Sequence, residues 1–212
     1  MNLSMLSRRA TLACGAGLLI APAASFAQSA CTDPDASGER SCTAGYAFDQ
    51  DTVRQAKPHW CWAACIQTIF FSHGYDVPQE RIVEKVFGNE IDRPASGPEI
   101  ISAINGRWTG DRGKDFSAQG FVLWDRINSF ERPDALALAV KELSSGNPLL
   151  FATDRHTLVL TAMNYHLADD GAITVDSLTV RDPWPDIPNR HALPVAEIPK
   201  SGFLCGVHVD AV

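Results

Sequence analysis

The hydrophobic pattern of this chain changes along its length, and that change limits the folds it can adopt. Up to about residue 106, apolar residues recur at helical spacing, and each such stretch ends in glycine. From residue 149 the pattern becomes that of strands, rich in valine, threonine and aromatic residues between Asp-Gly and proline breaks. This order predicts an α+β protein with a helical lobe over about residues 55–110 and an antiparallel β lobe over about residues 111–212.

The individual stretches can be read from the same pattern. The predicted helices are "CWAACIQTIFFSHG", "VPQERIVEKVFG", "SGPEIISAING" and "RPDALALAVKELSSGNP". The predicted strands are "FSAQGFVLW", "LLFAT", "HTLVLTAMNYHL", "ITVDSLTVRD" and "GFLCGVHVDAV". Residues 28–54 are polar and rich in turn-forming residues without a clear period, so we interpret them as an N-terminal extension of a domain over residues 55–212.

The first 27 residues have the composition of a targeting segment. Arg8 and Arg9 precede an apolar stretch, and small residues follow up to Ala27, which predicts a signal peptide over residues 1–27. "SRRATL" resembles a twin-arginine signal, and an ordinary secretory signal is the alternative. Both predict a bacterial periplasmic or secreted protein. No later segment is long and apolar enough to span a bilayer, so we expect no membrane partner after signal removal.

The charge of the chain disfavours nucleic-acid partners. The 18 basic residues include the two arginines of the predicted signal, so about 185 mature residues have 16 basic against 25 acidic side chains. The mature net charge is therefore −9, and its basic residues are scattered rather than clustered. Neither nucleic acid nor an anionic membrane surface fits this distribution.

The stretch "QAKPHWCWAAC", residues 55–65, holds two cysteines four positions apart. A thiol attacks a carbonyl as thiolate, which a helix N-terminus, a nearby imidazolium and partial exposure all favour. Cys61 lies where a polar loop meets the first turn of a predicted helix, whereas Cys65 lies one turn deeper. Cys61 is therefore the candidate nucleophile. Gln55 could donate its side-chain amide to the oxyanion of acyl transfer, although alone it would be an ordinary polar loop residue.

A histidine partner for Cys61 is found in the second half of the chain. His156 opens the predicted strand "HTLVLTAMNY", and Asp182 follows in "TVRDPW" after one Asp-Gly turn. Two adjacent antiparallel strands would bring these residues together, and a carboxylate there would fix the imidazole tautomer. Trp184 could then shield their hydrogen bond from water. The other histidines lie too close to Cys61 in sequence or lack a companion carboxylate pattern.

Taken together, "Q…CWAAC", "HTLVLTAMNY" and "TVRDPW" resemble the papain-like cysteine peptidases over residues 55 to about 186. The compact bacterial branches are most similar: double-glycine leader peptidases, staphopain-like enzymes and effector peptidases of plant pathogens. The resemblance implies a two-lobe fold with the active site in the cleft between the lobes. It implies a catalytic set of Cys61, His156, Asp182 and Gln55, with Trp62 and Trp184 lining the cleft or shielding the pair.

Three positions depart from the family pattern. Arg155 precedes the histidine where the compact branches usually have glycine, and Ala162 stands where glycine is common. Asp182 replaces the asparagine of papain itself, although aspartate is usual in the compact branches. Fewer than thirty residues separate the predicted signal from Gln55, which is too few for a large inhibitory pro-region. These departures concern substrate range more than chemistry.

We therefore predict a thiol peptidase that acts as a monomer on protein or peptide substrates, without a cofactor or metal. Two alternatives remain: a catalytically silent papain-like domain that binds protein, and an acyltransferase or amidase that uses the same residues on a non-protein amide. A zinc site at His59, Cys61, Cys65 and His73 lacks the standard ligand spacing. A redox site is disfavoured because the cysteines form C-x3-C rather than C-x2-C.

The remaining cysteines are expected to form disulfides. Five cysteines follow the predicted signal, and in an oxidising compartment an odd count leaves at least one thiol unpaired. With Cys61 free, three pairings are possible. We favour Cys31–Cys42, which would close the N-terminal extension, and Cys65–Cys205, which would join the cysteine helix to the last strand.

Overall fold

The computed structural model describes residues 28–45, 53–153, 155–198 and 202–212, so the predicted signal peptide lies outside the described residues. The helices are α1 Cys61–Ser72, α2 Gln79–Phe87, α3 Gly97–Ile104 and α4 Ala135–Ser144, with one 3₁₀ turn at Val195–Glu197. The strands are β1 Gln28–Cys31, β2 Arg40–Gly45, β3 Gly106–Thr109, β4 Asp115–Asp125, β5 Phe130–Glu131, β6 Leu149–Ala152, β7 Thr157–Leu167, β8 Ile173–Arg181, β9 Arg190–Pro194 and β10 Phe203–Ala211.

The described strands form one antiparallel sheet in the order β1-β2-β7-β6-β10-β4-β3. β7 is paired along both edges: β6 pairs with its first residues and β2 with its last residues on one edge, and β8 pairs along the other. β9 extends the sheet beyond β8, and the short β5 pairs with β4. The hairpin of β7 and β8 therefore places the start of β7 beside the end of β8.

The central strands are apolar on both faces because helices cover both faces of the sheet. Leu150 and Ala152 of β6 contact the core formed with α1, α2 and α3. Leu149 and Phe151 point the other way, into the core formed with α4. A strand buried on both faces reads as a continuous apolar run, which explains why "LLFA" lacks alternation.

α1 is the helix that packs against β6 and β7, and it is buried almost all round. Phe70 near its end contacts the ring edges of Trp108 and Phe116, with centroids 5.5 and 5.0 Å apart. Near its start, the Cys65 thiol donates to the carbonyl of Thr157 at 3.2 Å. The first turn of α1 therefore lies over the first residue of β7.

The predicted α+β order is confirmed, and the helix ends follow the sequence signals. Pro78 directly precedes α2, and Gly88 ends it with φ 72°, a left-handed conformation that glycine adopts without strain. At the start of α3, the Glu99 carboxylate accepts the Ser96 N–H at 2.7 Å, as in a capping box. No helix in the described ranges is long and apolar enough to cross a membrane.

Residues 28–54 were predicted to form an N-terminal extension of a domain over residues 55–212, and the structure differs for the part that it describes. The described part, residues 28–45, forms the β1–β2 hairpin, and β2 pairs with β7, so the segment belongs to the sheet. Polar residues suit this place because the hairpin forms one end of the sheet, where most side chains are exposed. The predicted Cys31–Cys42 disulfide is present, joining directly opposite residues with Cα atoms 4.0 Å apart.

The predicted Cys65–Cys205 disulfide is wrong, because both residues are free thiols. They face the same buried core but contact different strands. Cys65 donates to Thr157 on β7, whereas Cys205 lies on β10, which is separated from β7 by β6. Burial raises the pKa of both thiols well above its usual value, so both are held in the unreactive protonated form.

Candidate active site

Cys61 is the first residue of α1 and lies at the edge of the core, with 9% of its surface exposed. The first intrahelical hydrogen bond joins the Ala64 N–H to the Trp60 carbonyl at 2.9 Å. The N–H groups of Cys61, Trp62 and Ala63 precede that bond, so the helix offers them no acceptor. This end of a helix carries partial positive charge, which favours a thiolate at Cys61.

The two tryptophans beside Cys61 hold the segment after α2 against the first turn of α1. The indole N–H of Trp60 donates to the Ile91 carbonyl at 2.9 Å, and that of Trp62 donates to the Arg93 carbonyl at 3.2 Å. Trp62 is only 1% exposed and meets the edge of the Phe87 ring at 5.9 Å. The Trp62 ring is thus part of the core, and its expected role in lining the cleft or shielding the pair stays a prediction.

His156 lies in the tight connection between β6 and β7, directly before β7 begins. Its carbonyl accepts the Thr153 N–H at 2.7 Å, and its own N–H donates to the Thr153 hydroxyl oxygen at 3.0 Å. Its Nε2 is 2.7 Å from Asp182 Oδ1, and the Asp182 side chain is almost fully buried. Because Asp182 occupies Nε2, Nδ1 is the nitrogen left to exchange a proton with Cys61.

Asp182 follows the last residue of β8 and points back at His156. Its Oδ1 also accepts the Trp184 backbone N–H at 2.8 Å, so the loop itself orients the carboxylate. The Trp184 ring meets the His156 ring edge-on at 6.1 Å and is 37% exposed. The Trp184 ring therefore packs against the His156 ring and keeps part of its own surface exposed.

The electrostatics of the three side chains favour an ion pair between Cys61 and His156. Burial raises the pKa of Cys61, but a hydrogen bond from His156 and its positive charge outweigh burial, so the pKa is lowered. Burial lowers the pKa of His156, but hydrogen bonds and charge from Asp182 and Cys61 raise it to about 9. The pKa of Asp182 is lowered, since the hydrogen bond to His156 and the Trp184 N–H outweigh burial. This arrangement shifts all three groups toward their charged forms: thiolate, imidazolium and carboxylate.

Thr157 is a site residue that the sequence did not reveal. Its hydroxyl and its backbone N–H lie close enough to the Cys61 sulfur to help lower the pKa of that thiol. Its carbonyl accepts the Cys65 thiol, so one buried residue contacts both cysteines of the helix. Only its position directly after His156 could have drawn attention to it.

Gln55 is buried next to the loop that follows β8, with its backbone N–H donating to the Pro183 carbonyl at 3.0 Å. Its side-chain amide donates to the carbonyls of Lys57 and Pro58 at 3.0 and 2.8 Å. Both amide hydrogens are thus used within the loop that leads to α1. The structure brings Cys61, His156 and Asp182 together, and it places the Gln55 amide in contact with its own loop instead.

A buried glutamine on α2 fixes the backbone on either side of Gln55. Gln79 Nε2 donates to the Arg54 carbonyl at 2.9 Å, and Gln79 Oε1 accepts the Ala56 N–H at 2.9 Å. Gln79 is 5% exposed, and its amide also donates to Gln67 on α1 at 3.1 Å. Residues 54–56 are therefore held by two helices of the structure.

Comparisons with known proteins add little beyond the site itself. No protein-family model matches the chain, and no curated protein matches its sequence. The peptidase domain of Streptococcus ComA, a bifunctional ABC transporter involved in a quorum-sensing pathway, matches with 10% identity and a TM-score of 0.44 over 76% of this chain and 98% of that domain. UfSP from C. elegans matches with 16% identity and a TM-score of 0.46 over 82% of this chain, which spans 33% of that protein.

Proposed function

We propose that this chain is an exported papain-like cysteine peptidase that hydrolyses peptide bonds. The observation that supports this most directly is the position of His156, whose Nε2 is 2.7 Å from Asp182 Oδ1 and whose imidazole lowers the pKa of the Cys61 thiol. A thiol at a helix start, an imidazole and a buried carboxylate in this order are what nucleophilic acyl transfer requires. The papain-like sequence segments coincide with these same residues.

The reaction follows from the protonation states of the pair. The Cys61 thiolate attacks the substrate carbonyl carbon, a C–S bond forms, and the carbonyl oxygen becomes an oxyanion. His156 Nδ1 then gives its proton to the amide nitrogen, so that the C–N bond breaks and the amine leaves. Neutral His156 next takes a proton from water, whose oxygen attacks the thioester carbonyl carbon. The C–S bond breaks, the acid is released, and Cys61 returns as thiolate beside protonated His156. Asp182 keeps the imidazole in the required tautomer throughout.

The oxyanion needs hydrogen-bond donors, and the first turn of α1 supplies the backbone N–H of Cys61 for this role. We propose that Gln55 becomes the second donor when substrate binds. To do so, its amide must exchange the carbonyls of Lys57 and Pro58 for the oxyanion. Loss of one oxyanion donor typically costs about 10²–10³ in rate, so Gln55→Ala should show a loss of this order if the exchange occurs.

The decisive experiment compares two cysteines of the same helix. The purified chain and its Cys61→Ala and Cys65→Ala variants are incubated with a peptide library derived from a bacterial proteome, and cleavage is followed by mass spectrometry. We expect at least a roughly 10³-fold loss of cleavage in Cys61→Ala and near-normal cleavage in Cys65→Ala, because only Cys61 contacts His156. Iodoacetamide should label Cys61 rapidly in the folded protein.

The outcomes separate the three functional classes. Cleavage retained in Cys61→Ala would refute the assignment of the nucleophile. Rapid labelling of Cys61 without cleavage of any library peptide would refute peptide hydrolysis and favour acyl transfer or a non-protein amide. Slow labelling at Cys61 together with no cleavage would indicate a silent binding domain.

A further inference from the structure

We propose that Arg54 is a positioning residue for the Cys61–His156–Asp182 group, acting through the backbone of the loop that carries Asp182. The inference rests on the thiolate–imidazolium pair of the proposed function but not on the identity of the substrate. Arg54 belongs to none of the sequence segments that indicated the site, and it lies 128 residues from Asp182 in the chain.

The guanidinium of Arg54 contacts three carbonyl groups of one short loop. Its Nη1 is 3.2 Å from the Asp182 carbonyl and 3.1 Å from the Ile187 carbonyl, and it also donates to the carbonyl of Trp184. Hydrogen bonds from a cation to carbonyls are stronger than neutral ones. Three carbonyls of residues 182–187 thus converge on a single cation.

This loop lies beyond the paired residues of the sheet. β8 ends at Arg181, so Asp182 lies beyond the paired residues of the β8–β9 ladder, which closes at Arg181 and Arg190. Beyond that ladder, the Asp182 N–H donates to the Asn189 carbonyl at 2.8 Å. Rotation of the Asp182 backbone would move its carboxylate away from His156, and misplacement by about 1 Å can cost about 10²-fold in rate.

Arg54 can hold the loop in place because its own backbone is fixed by hydrogen bonds. The buried amide of Gln79 accepts the Ala56 N–H and donates to the Arg54 carbonyl, both at 2.9 Å. The next residue, Gln55, donates its N–H to Pro183 of the same loop at 3.0 Å. A connected set of hydrogen bonds therefore runs from α2 through residues 54–55 to the loop that orients Asp182.

Geometry and charge predict opposite effects when Arg54 is replaced. The titratable groups facing His156 are Cys61 on α1 and Asp182 after β8, and His191 on β9 acts on Asp182 in turn. Loss of a nearby cation alone would raise the pKa of His156. A displaced Asp182 carboxylate would instead lower that pKa, because its hydrogen bond and charge stabilise the imidazolium.

The test is the pH dependence of Cys61 alkylation by iodoacetate in the folded chain. The anionic reagent is attracted by the His156 imidazolium, so its reaction rate should fall as His156 loses its proton, near pH 9 in the unaltered protein. We call this fall in rate at high pH the alkaline limb. We expect Arg54→Met to move the alkaline limb to lower pH by about one unit. Arg54→Lys retains a cation with three donors, so its alkaline limb should lie close to that of the unaltered protein.

The matched control is Arg81→Met. Arg81 is an exposed arginine on α2, away from the site, and it also donates to a backbone carbonyl, that of Thr109 at 2.8 Å. It should leave the limb unchanged. An unchanged limb in Arg54→Met, or a limb at higher pH, would overturn the proposal. If Arg54→Met does not fold, Arg54→Gln, which removes the charge and shortens the reach to the loop, should move the limb to lower pH by a smaller amount, and an unchanged limb in that variant would also overturn the proposal.

The result is separable from that for the proposed function. Iodoacetate alkylation needs only the thiolate and the imidazolium, so a chain that cleaves no peptide still reports on Arg54. Neutral iodoacetamide should show no alkaline fall, which identifies the limb as an effect of imidazolium charge. A protein without any alkaline limb with iodoacetate has no such pair, and this outcome would refute the role of Arg54.

Discussion

At the scale of single residues, opposing effects determine the pKa values of Cys61 and His156. Burial alone would raise the pKa of Cys61 and lower that of His156, which would leave both groups neutral and unreactive. Hydrogen bonds and charges among Cys61, His156 and Asp182 reverse both shifts. Cys65 and Cys205 lack a partner of opposite charge at the sulfur, and burial therefore determines their pKa.

Asp182 should control the alkaline limit of activity. The active form needs Cys61 as thiolate and His156 as imidazolium, so kcat/KM should rise as pH increases through the lowered pKa of Cys61 and fall through about pH 9. Asp182→Asn removes the carboxylate charge that raises the pKa of His156 and keeps an oxygen for Nε2. We expect its alkaline limb at lower pH by about one unit or more, with kcat/KM at pH 7 within about tenfold of the unaltered protein.

A pH profile of peptide hydrolysis measures this limb directly, and Asp182→Ala is the matched variant because it removes charge and acceptor together. We expect a larger loss of kcat/KM in Asp182→Ala than in Asp182→Asn. Identical profiles in all three proteins would show that the carboxylate does not set the protonation of His156.

At the scale of elements, the site is built where three element ends meet. Cys61 starts α1, His156 precedes β7, and Asp182 follows β8, so each side chain lies just outside or at the limit of a regular element. The β7–β8 hairpin sets the distance between His156 and Asp182, and the packing of α1 on β6 and β7 sets that between Cys61 and His156. The β1–β2 hairpin pairs with the far end of β7, at residues 162–167.

The Cys31–Cys42 disulfide should therefore affect stability but not catalysis. A double Cys31→Ser, Cys42→Ser variant loses a covalent bridge across 11 residues of sequence. We expect the free energy of unfolding to fall by about 2–3 kcal/mol in urea titrations, since the bridge restricts the unfolded chain. The alkylation rate of Cys61 in the folded protein should be unchanged, and a loss as large as that in Cys61→Ala would contradict the separation of hairpin and site.

At the scale of the whole molecule, two hydrophobic cores on opposite faces of one sheet shield buried side chains from solvent. The core under α1 contains Cys65 and Cys205, both without solvent exposure. The active-site thiol lies at the edge of that same core. Among the free cysteines of the described residues, Cys61 is therefore partly exposed, whereas Cys65 and Cys205 are inaccessible.

This arrangement predicts how the thiols react during unfolding. In the folded state only Cys61 should be alkylated rapidly. Cys65 and Cys205 should react only when the whole protein unfolds, so their alkylation should depend on urea concentration in the same way as unfolding followed by far-UV circular dichroism. After denaturation without reductant, three thiols should react besides any Cys14 still attached. A count of one would show that Cys65 and Cys205 are bridged, contrary to the structure.

The sequence predicted several of these features correctly because they depend on local spacing. Apolar periodicity and the terminal residues Pro78 and Gly88 identified the helices, and strand composition identified β6 to β8. The closeness of His156 and Asp182 followed from one hairpin. The N-terminal hairpin was missed because polar edge strands lack the apolar alternation that reveals a strand.

What the sequence alone determined is the order of helices and strands and the candidates Cys61, His156 and Asp182, together with an odd count of five cysteines after the predicted signal. The tertiary structure decided which cysteines are bridged, that Trp62 is buried, and that Arg54 and Thr157 contact the site. The physical reason is the distance along the chain over which the interactions act. Periodicity and capping act over a few residues, whereas burial, hydrogen bonding and pKa shifts depend on groups that only the folded chain brings together.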